Sequence, residues 1–181
     1  MAVTSWRSPG TAVEDQYVGL LPVTDYSNVC NNGSPYATIN WSTGTQTSYF
    51  IKSSNYGFTT SDVPAGSTID GIEFTYNRNE VGSTDNLETK RIWMVKSDGT
   101  FVETTNLADA GEWPTTMATA TVGGAANKWG YTGITAADVI DTDFGVAVQA
   151  GTIGSGTTPQ GSIGVFRMRI YYTVSGTIYN D

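Results

Sequence analysis

Polar and apolar residues alternate with a period of two along two stretches of this chain. Ile72, Phe74 and Tyr76 are separated by Glu73, Thr75 and Asn77, and Phe166, Met168, Ile170 and Tyr172 by Arg167, Arg169 and Tyr171. That period predicts strands with one buried and one wet face. The run Phe144 to Ala150 is almost continuously apolar, Val146 and Val148 included, and predicts a central strand. Further strands are expected at Ser48 to Lys52, Lys90 to Lys96 and Met117 to Val122. Asp98-Gly99 predicts a hairpin turn into Thr100 to Glu103. The single helical signal is Thr135-Ala136-Ala137-Asp138-Val139-Ile140, where a threonine cap is followed three residues on by an aspartate.

About eight strands at this spacing predict an all-β, two-sheet β-sandwich, a jelly roll. Its core should take Ile72, Phe74, Tyr76, Val146, Val148, Met168 and Ile170 on one side. Residues 1–46 are polar and turn-rich and read as an N-terminal arm with short strands and loops. Residues 47–181 read as the sandwich domain. Within the arm, residues 1–16 are expected to be extended and to need a surface to lie on.

Composition agrees with strands. The 181 residues include 28 Thr and 15 Ser but only 4 Leu and 4 Lys, which leaves little material for helices. Charge and absences then narrow the chemistry. With no His, neither a Ser-His-Asp nor a Cys-His arrangement can form. The single Cys30 excludes a cysteine zinc site and an intrachain disulfide. A net charge of −8 disfavours nucleic acid, and no stretch is long and apolar enough for a membrane span. The opening residues have neither a basic start nor an apolar run, so no secretory signal is expected there.

Carboxylates that could hydrolyse glycosides are Glu73, Glu88, Asp141 and Asp143. Glu73 alternates outward, as a solvated sheet face would. Asp141-Thr142-Asp143 has too few ligands for calcium and suits a turn. Gly151 to Gly156 lacks the following helix and Lys-Ser/Thr of a phosphate loop. Arg167 and Arg169, with Tyr171 in line, suggest a cross-strand ion pair before a nucleic-acid stripe. We therefore expect no catalytic residue, no metal and no cofactor. The five Trp and ten Tyr are read as core or interface anchors ahead of sugar-stacking platforms.

Several segments in order resemble a β-sandwich domain of tailed-bacteriophage virion structural proteins. They are Asn55-Tyr56-Gly57-Phe58, Pro64 to Glu73, Trp113-Pro114, Trp129-Gly130 before Ala137-Asp138-Val139, Phe144 to Ala150, and Arg169-Ile170-Tyr171-Tyr172-Thr173. The resemblance covers residues 48–174. It implies a non-enzymatic virion part assembled in the host cytoplasm, foremost a capsid decoration (cement) protein docked on the major capsid protein or another virion protein. It transfers no catalytic residue. A tail or fibre component and a carbohydrate-binding β-sandwich module are the alternatives, the latter with a glycan as ligand. Docking contacts are expected from Trp6, Arg7 and Val13 in the arm. A homo-oligomer, a trimer on a symmetric lattice, would multiply weak contacts.

Overall fold

The computed structural model describes residues 1–41, 44–81, 87–109, 111–154 and 159–175. The expected loop at 82–86 and the tip at 155–158 lie outside them. Among the described residues ten strands form two five-stranded antiparallel sheets. In chain order they are β1 (Ala2–Val3), β2 (Thr11–Asp15), β3 (Ala37–Asn40), β4 (Phe50–Ser54), β5 (Thr68–Val81), β6 (Leu87–Val95), β7 (Phe101–Val102), β8 (Ala118–Gly124), β9 (Gly145–Thr152) and β10 (Gln160–Thr173). The helix α1, Ala136–Ile140, precedes β9.

The first sheet runs β1-β10-β5-β8, with β3 also paired to β10, and the second runs β2-β4-β9-β6-β7. From β4 onward the chain passes repeatedly between the sheets, interrupted only by the β6–β7 hairpin. This is the jelly-roll-like sandwich that the alternation predicts. The expected hairpin also forms, with the Gly99 amide donating to the Lys96 carbonyl and Gly99 at φ 78°. β9 is the central strand of its sheet, and all eight of its residues are buried.

The main core lies between the sheets. Ile72, Phe74, Tyr76, Val146, Val148, Met168 and Ile170 all belong to it, as the alternation requires. Phe74 meets Phe166 edge to face at 5.1 Å and Trp129 at 6.2 Å. Four of the five tryptophans, Trp41, Trp93, Trp113 and Trp129, are buried, so bulky rings fill the space that few leucines are available to fill. At one end of the core the Arg78 guanidinium donates to the Tyr76 hydroxyl (2.8 Å), the Thr89 hydroxyl (3.0 Å) and the Asp109 carboxylate (2.6 Å). Burial raises the Tyr76 hydroxyl to about 12. Burial also raises the Asp109 carboxyl, but the Arg78 hydrogen bonds and charge outweigh it and hold that group below its ordinary value.

The N-terminal arm runs along both sheets. β1 pairs with β10, with Val3 opposite Tyr171, and β2 pairs with β4 over five residues. Thr4 and Arg7 add backbone bonds to Ile170 and Met168. Residues 1–46 thus contribute strands to both sheets. The physical reason is edge pairing: β10 and β4 present open backbone donors and acceptors that a polar segment can satisfy without an apolar pattern.

Candidate functional site

Period two places Arg167, Arg169 and Tyr171 on the outer face of β10, opposite Thr75, Glu73 and Gly71 of β5. Beyond β5 the same face continues through Thr119, Thr121 and Gly123 of β8, which pair with Asn77, Thr75 and Glu73. The Glu73 carboxylate is the hub of this surface. It accepts from Arg169 Nε (2.7 Å) and from the Tyr171 hydroxyl (2.6 Å), and Arg169 Nη2 lies 2.6 Å away. The bond to Glu73 raises the Tyr171 hydroxyl above its ordinary value, because losing its proton would set two anions together. The cross-strand ion pair expected for this strand is therefore Arg169–Glu73. Arg167 has no ion pair among the described residues.

The arm adds an indole to this face. Trp6 is 36% exposed, and its ring centroid lies 4.5 Å from the Arg169 guanidinium, which is also 5.2 Å from the Tyr171 ring. Trp6, Arg169, Tyr171 and Glu73 form one contiguous platform of aromatic rings and planar hydrogen-bonding groups. The other two arm residues singled out in the sequence lie elsewhere. Arg7 donates to Asp62 at 2.8 Å, and Val13 stands on β2 opposite Lys52.

Three of the four carboxylates considered for hydrolysis are held in structural roles. Glu73 is engaged as above, and Glu88 is paired with Lys90. Asp141 accepts from the Asp143 amide, the turn role expected for it. Among the described residues no three His, Cys, Asp or Glu side chains gather as a metal would need. No helix among them is long and apolar enough to cross a membrane.

The segments carrying the virion resemblance turn out to be joints and core of the sandwich. Asn55 and Gly57 adopt left-handed backbone (φ 56° and 68°) so that Tyr56 and Phe58 can stack inward, 6.4 Å apart. Trp129, at φ 56°, is buried and donates to the Ile72 carbonyl at 2.9 Å. Phe144 to Ala150 is the end and body of the central strand. These residues specify how the chain folds; of the resembling segments only Glu73, Arg169 and Tyr171 also reach the outer face described above.

No family model matches the chain, and no curated protein matches it. Solved structures do, all by fold. A family 29 carbohydrate-binding module from Piromyces equi superposes with a TM-score of 0.42 at 7% identity, over 93% of this chain and 91% of that one. A structure described as CBM4 gives 0.40 at 12% identity, over 91% and 94%. A family 11 carbohydrate-binding module from Clostridium thermocellum, in complex with a mixed-linked tetrasaccharide, gives 0.39 at 7% identity, over 95% and 90%. At these scores the likeness concerns the β-sandwich alone. Nothing among the matches links the chain to a virion.

Proposed function

We propose that this chain is a non-catalytic glycan-binding module that lays a saccharide along the outer face of the first sheet. One observation carries the reading: the exposed Trp6 ring is fixed by Arg169 beside Tyr171 and Glu73, while the other four indoles are buried. A pyranose ring has an apolar C–H face and a rim of hydroxyls. A half-exposed indole matches the first. Planar guanidinium and carboxylate groups, with their fixed donors and acceptors, match the second. The strands beneath hold these groups in place, so little side-chain entropy is lost on binding. Arg167 on the same face, without an ion pair among the described residues, favours sugars bearing a carboxylate or sulfate, since a guanidinium binds such groups through two parallel bonds.

Affinity electrophoresis tests the reading. The protein is run through gels containing mixed-linked β-glucan, xylan, alginate or polygalacturonate. We expect retardation, strongest in the two acidic gels, that is lost in Trp6→Ala and reduced in Arg167→Ala. Unchanged mobility in every gel would refute a glycan ligand. Retardation that survives Trp6→Ala in full would refute this face.

A further inference from the structure

A second site lies away from the platform, beside the start of β5. A cleft of about 650 Å³ opens between the turn leading into β5 and the segment running into α1. Val63, Ile69, Ile134 and Ile140 form apolar walls, and no aromatic ring lines it. Its size falls within the range of small-molecule sites.

The walls are tied together before any ligand arrives. Thr68 and Thr135 form a backbone bridge across the two segments. The Thr135 hydroxyl accepts from the Asp138 amide at 3.2 Å, and the Asp138 carboxylate accepts from the Thr135 amide at 2.9 Å. The same carboxylate accepts from the Ser97 hydroxyl at 2.6 Å, which pins α1 to the loop after β6.

Among the described residues, two polar groups in this lining lack partners. Ser67 is 7% exposed, and its buried hydroxyl makes no hydrogen bond. Leaving such a group unsatisfied costs free energy that a ligand acceptor would recover. Lys128 also lines the cleft and has no ion pair among the described residues, on a chain whose net charge is −8. We infer that this cleft binds a small apolar carboxylate, its hydrocarbon part against the isoleucines and valine, its anionic head taken by Lys128 and the Ser67 hydroxyl. A saccharide does not suit the site, because the lining has no ring to stack on and is mostly hydrocarbon.

The probes are hexanoate and its uncharged counterpart hexanol, followed by ligand-observed saturation-transfer NMR on the full chain. Hexanoate should bind about fivefold more tightly than hexanol, the worth of one ion pair at a half-open lip. Lys128→Met keeps the stem and removes the charge, and should erase that preference while leaving hexanol binding unchanged. Ser67→Ala should weaken hexanoate and leave the melting temperature within a few degrees of the parent. Neither variant touches the platform, so polysaccharide retardation should be the same in both. Equal binding of the two probes, or a preference that survives Lys128→Met, would overturn the inference. So would failure of either probe to bind in the millimolar range, or displacement of hexanoate by a polysaccharide.

Discussion

The outer faces of the two sheets are built by the same alternation and end up in opposite states. On the first sheet the outward residues of β10 and β5 are Arg167, Arg169, Tyr171, Thr75 and Glu73, open to solvent to varying degrees. On the second sheet the outward residues are Phe50, Trp93, Val95 and Ala147, and they form a second apolar cluster with Phe101. Ala147 on β9 lies between the strands that carry Phe50 and Trp93, and its small side chain lets those rings stack at 5.1 Å. Residues 17–20 lie across this face. The Val18 carbonyl accepts from Gln149 Nε2 at 2.7 Å, the Leu20 amide donates to Thr47, and Tyr17 packs edge-on to Phe101 at 5.4 Å. The arm therefore covers one sheet and leaves the other open, adding Val3 and Trp6 to its outer face. A face that the chain itself covers serves stability, and a face it leaves open with ordered rings is available to a ligand.

Removing a ring from each face should show the largest contrast. Trp93→Ala should cost about 3–5 kcal/mol, as buried aromatic truncations do. Trp6→Ala should cost under about 1 kcal/mol, the worth of an exposed cation–π contact. Urea unfolding of both variants measures this. Equal losses would mean that the two faces do not differ in role. Ile170→Ala in the shared core, expected at about 2–5 kcal/mol, calibrates the scale.

A smaller effect sharpens the same comparison. Ala147→Leu pushes a branched carbon with its two methyl groups under the Phe50–Trp93 pair and should destabilise by about 1–3 kcal/mol through overpacking. Thr75→Leu on the open face of β5 meets no such lid and should change stability by less than about 0.5 kcal/mol. Thermal unfolding of the pair decides it, and a larger loss for Thr75→Leu would reverse the assignment of covered and open faces.

How much of this was legible in the sequence follows from the same contrast. The strands around Ile72, Phe74, Tyr76, Met168 and Ile170 were readable because water on their outer side enforces polar residues between the apolar ones. β6 was readable as a strand, but its outward Trp93 was not distinguishable from its inward Ile92 and Met94. With both faces covered, alternation disappears. β1 and β2 carry no pattern because edge hydrogen bonds place them. The threonine cap at Thr135 was readable from its spacing to Asp138, since a capping box is local. The platform was visible only in halves: Arg169 and Tyr171 as a stripe, Trp6 as a docking residue of a free arm, and Glu73 as a solvated carboxylate. Their meeting depends on β1 returning to β10, across some 160 residues, which no local signal encodes. The cleft beside α1 joins residues 63–69 to 128–140 and was missed for the same reason.

The smallest effect concerns the polar network that closes the core between the faces. Asp109 is held below its ordinary 3.8 in the folded chain, so its pairing with Arg78 stabilises the fold above that value and is lost as pH falls through the lower folded value. Asp62 and Asp138 are lowered too and add to the same acid limb. The melting temperature should be level from neutral pH to about 5 and fall below about 4. Asp109→Asn should soften that fall and cost under about 1 kcal/mol at neutral pH, because the carboxylate is partly solvated. An unchanged acid limb in Asp109→Asn would remove this pair from the account.

The central claim, that the open face receives a saccharide, is tested most directly by acrylamide quenching of tryptophan fluorescence during titration with an acidic polysaccharide. Four indoles are buried and Trp6 is exposed, so quenching of the folded chain reports chiefly on Trp6. A bound saccharide should shield that ring, lowering the quenching constant saturably, and Trp6→Phe should abolish the change while the protein stays folded. Quenching that is indifferent to every polysaccharide tried, or a saturable change that persists in Trp6→Phe, would contradict the claim.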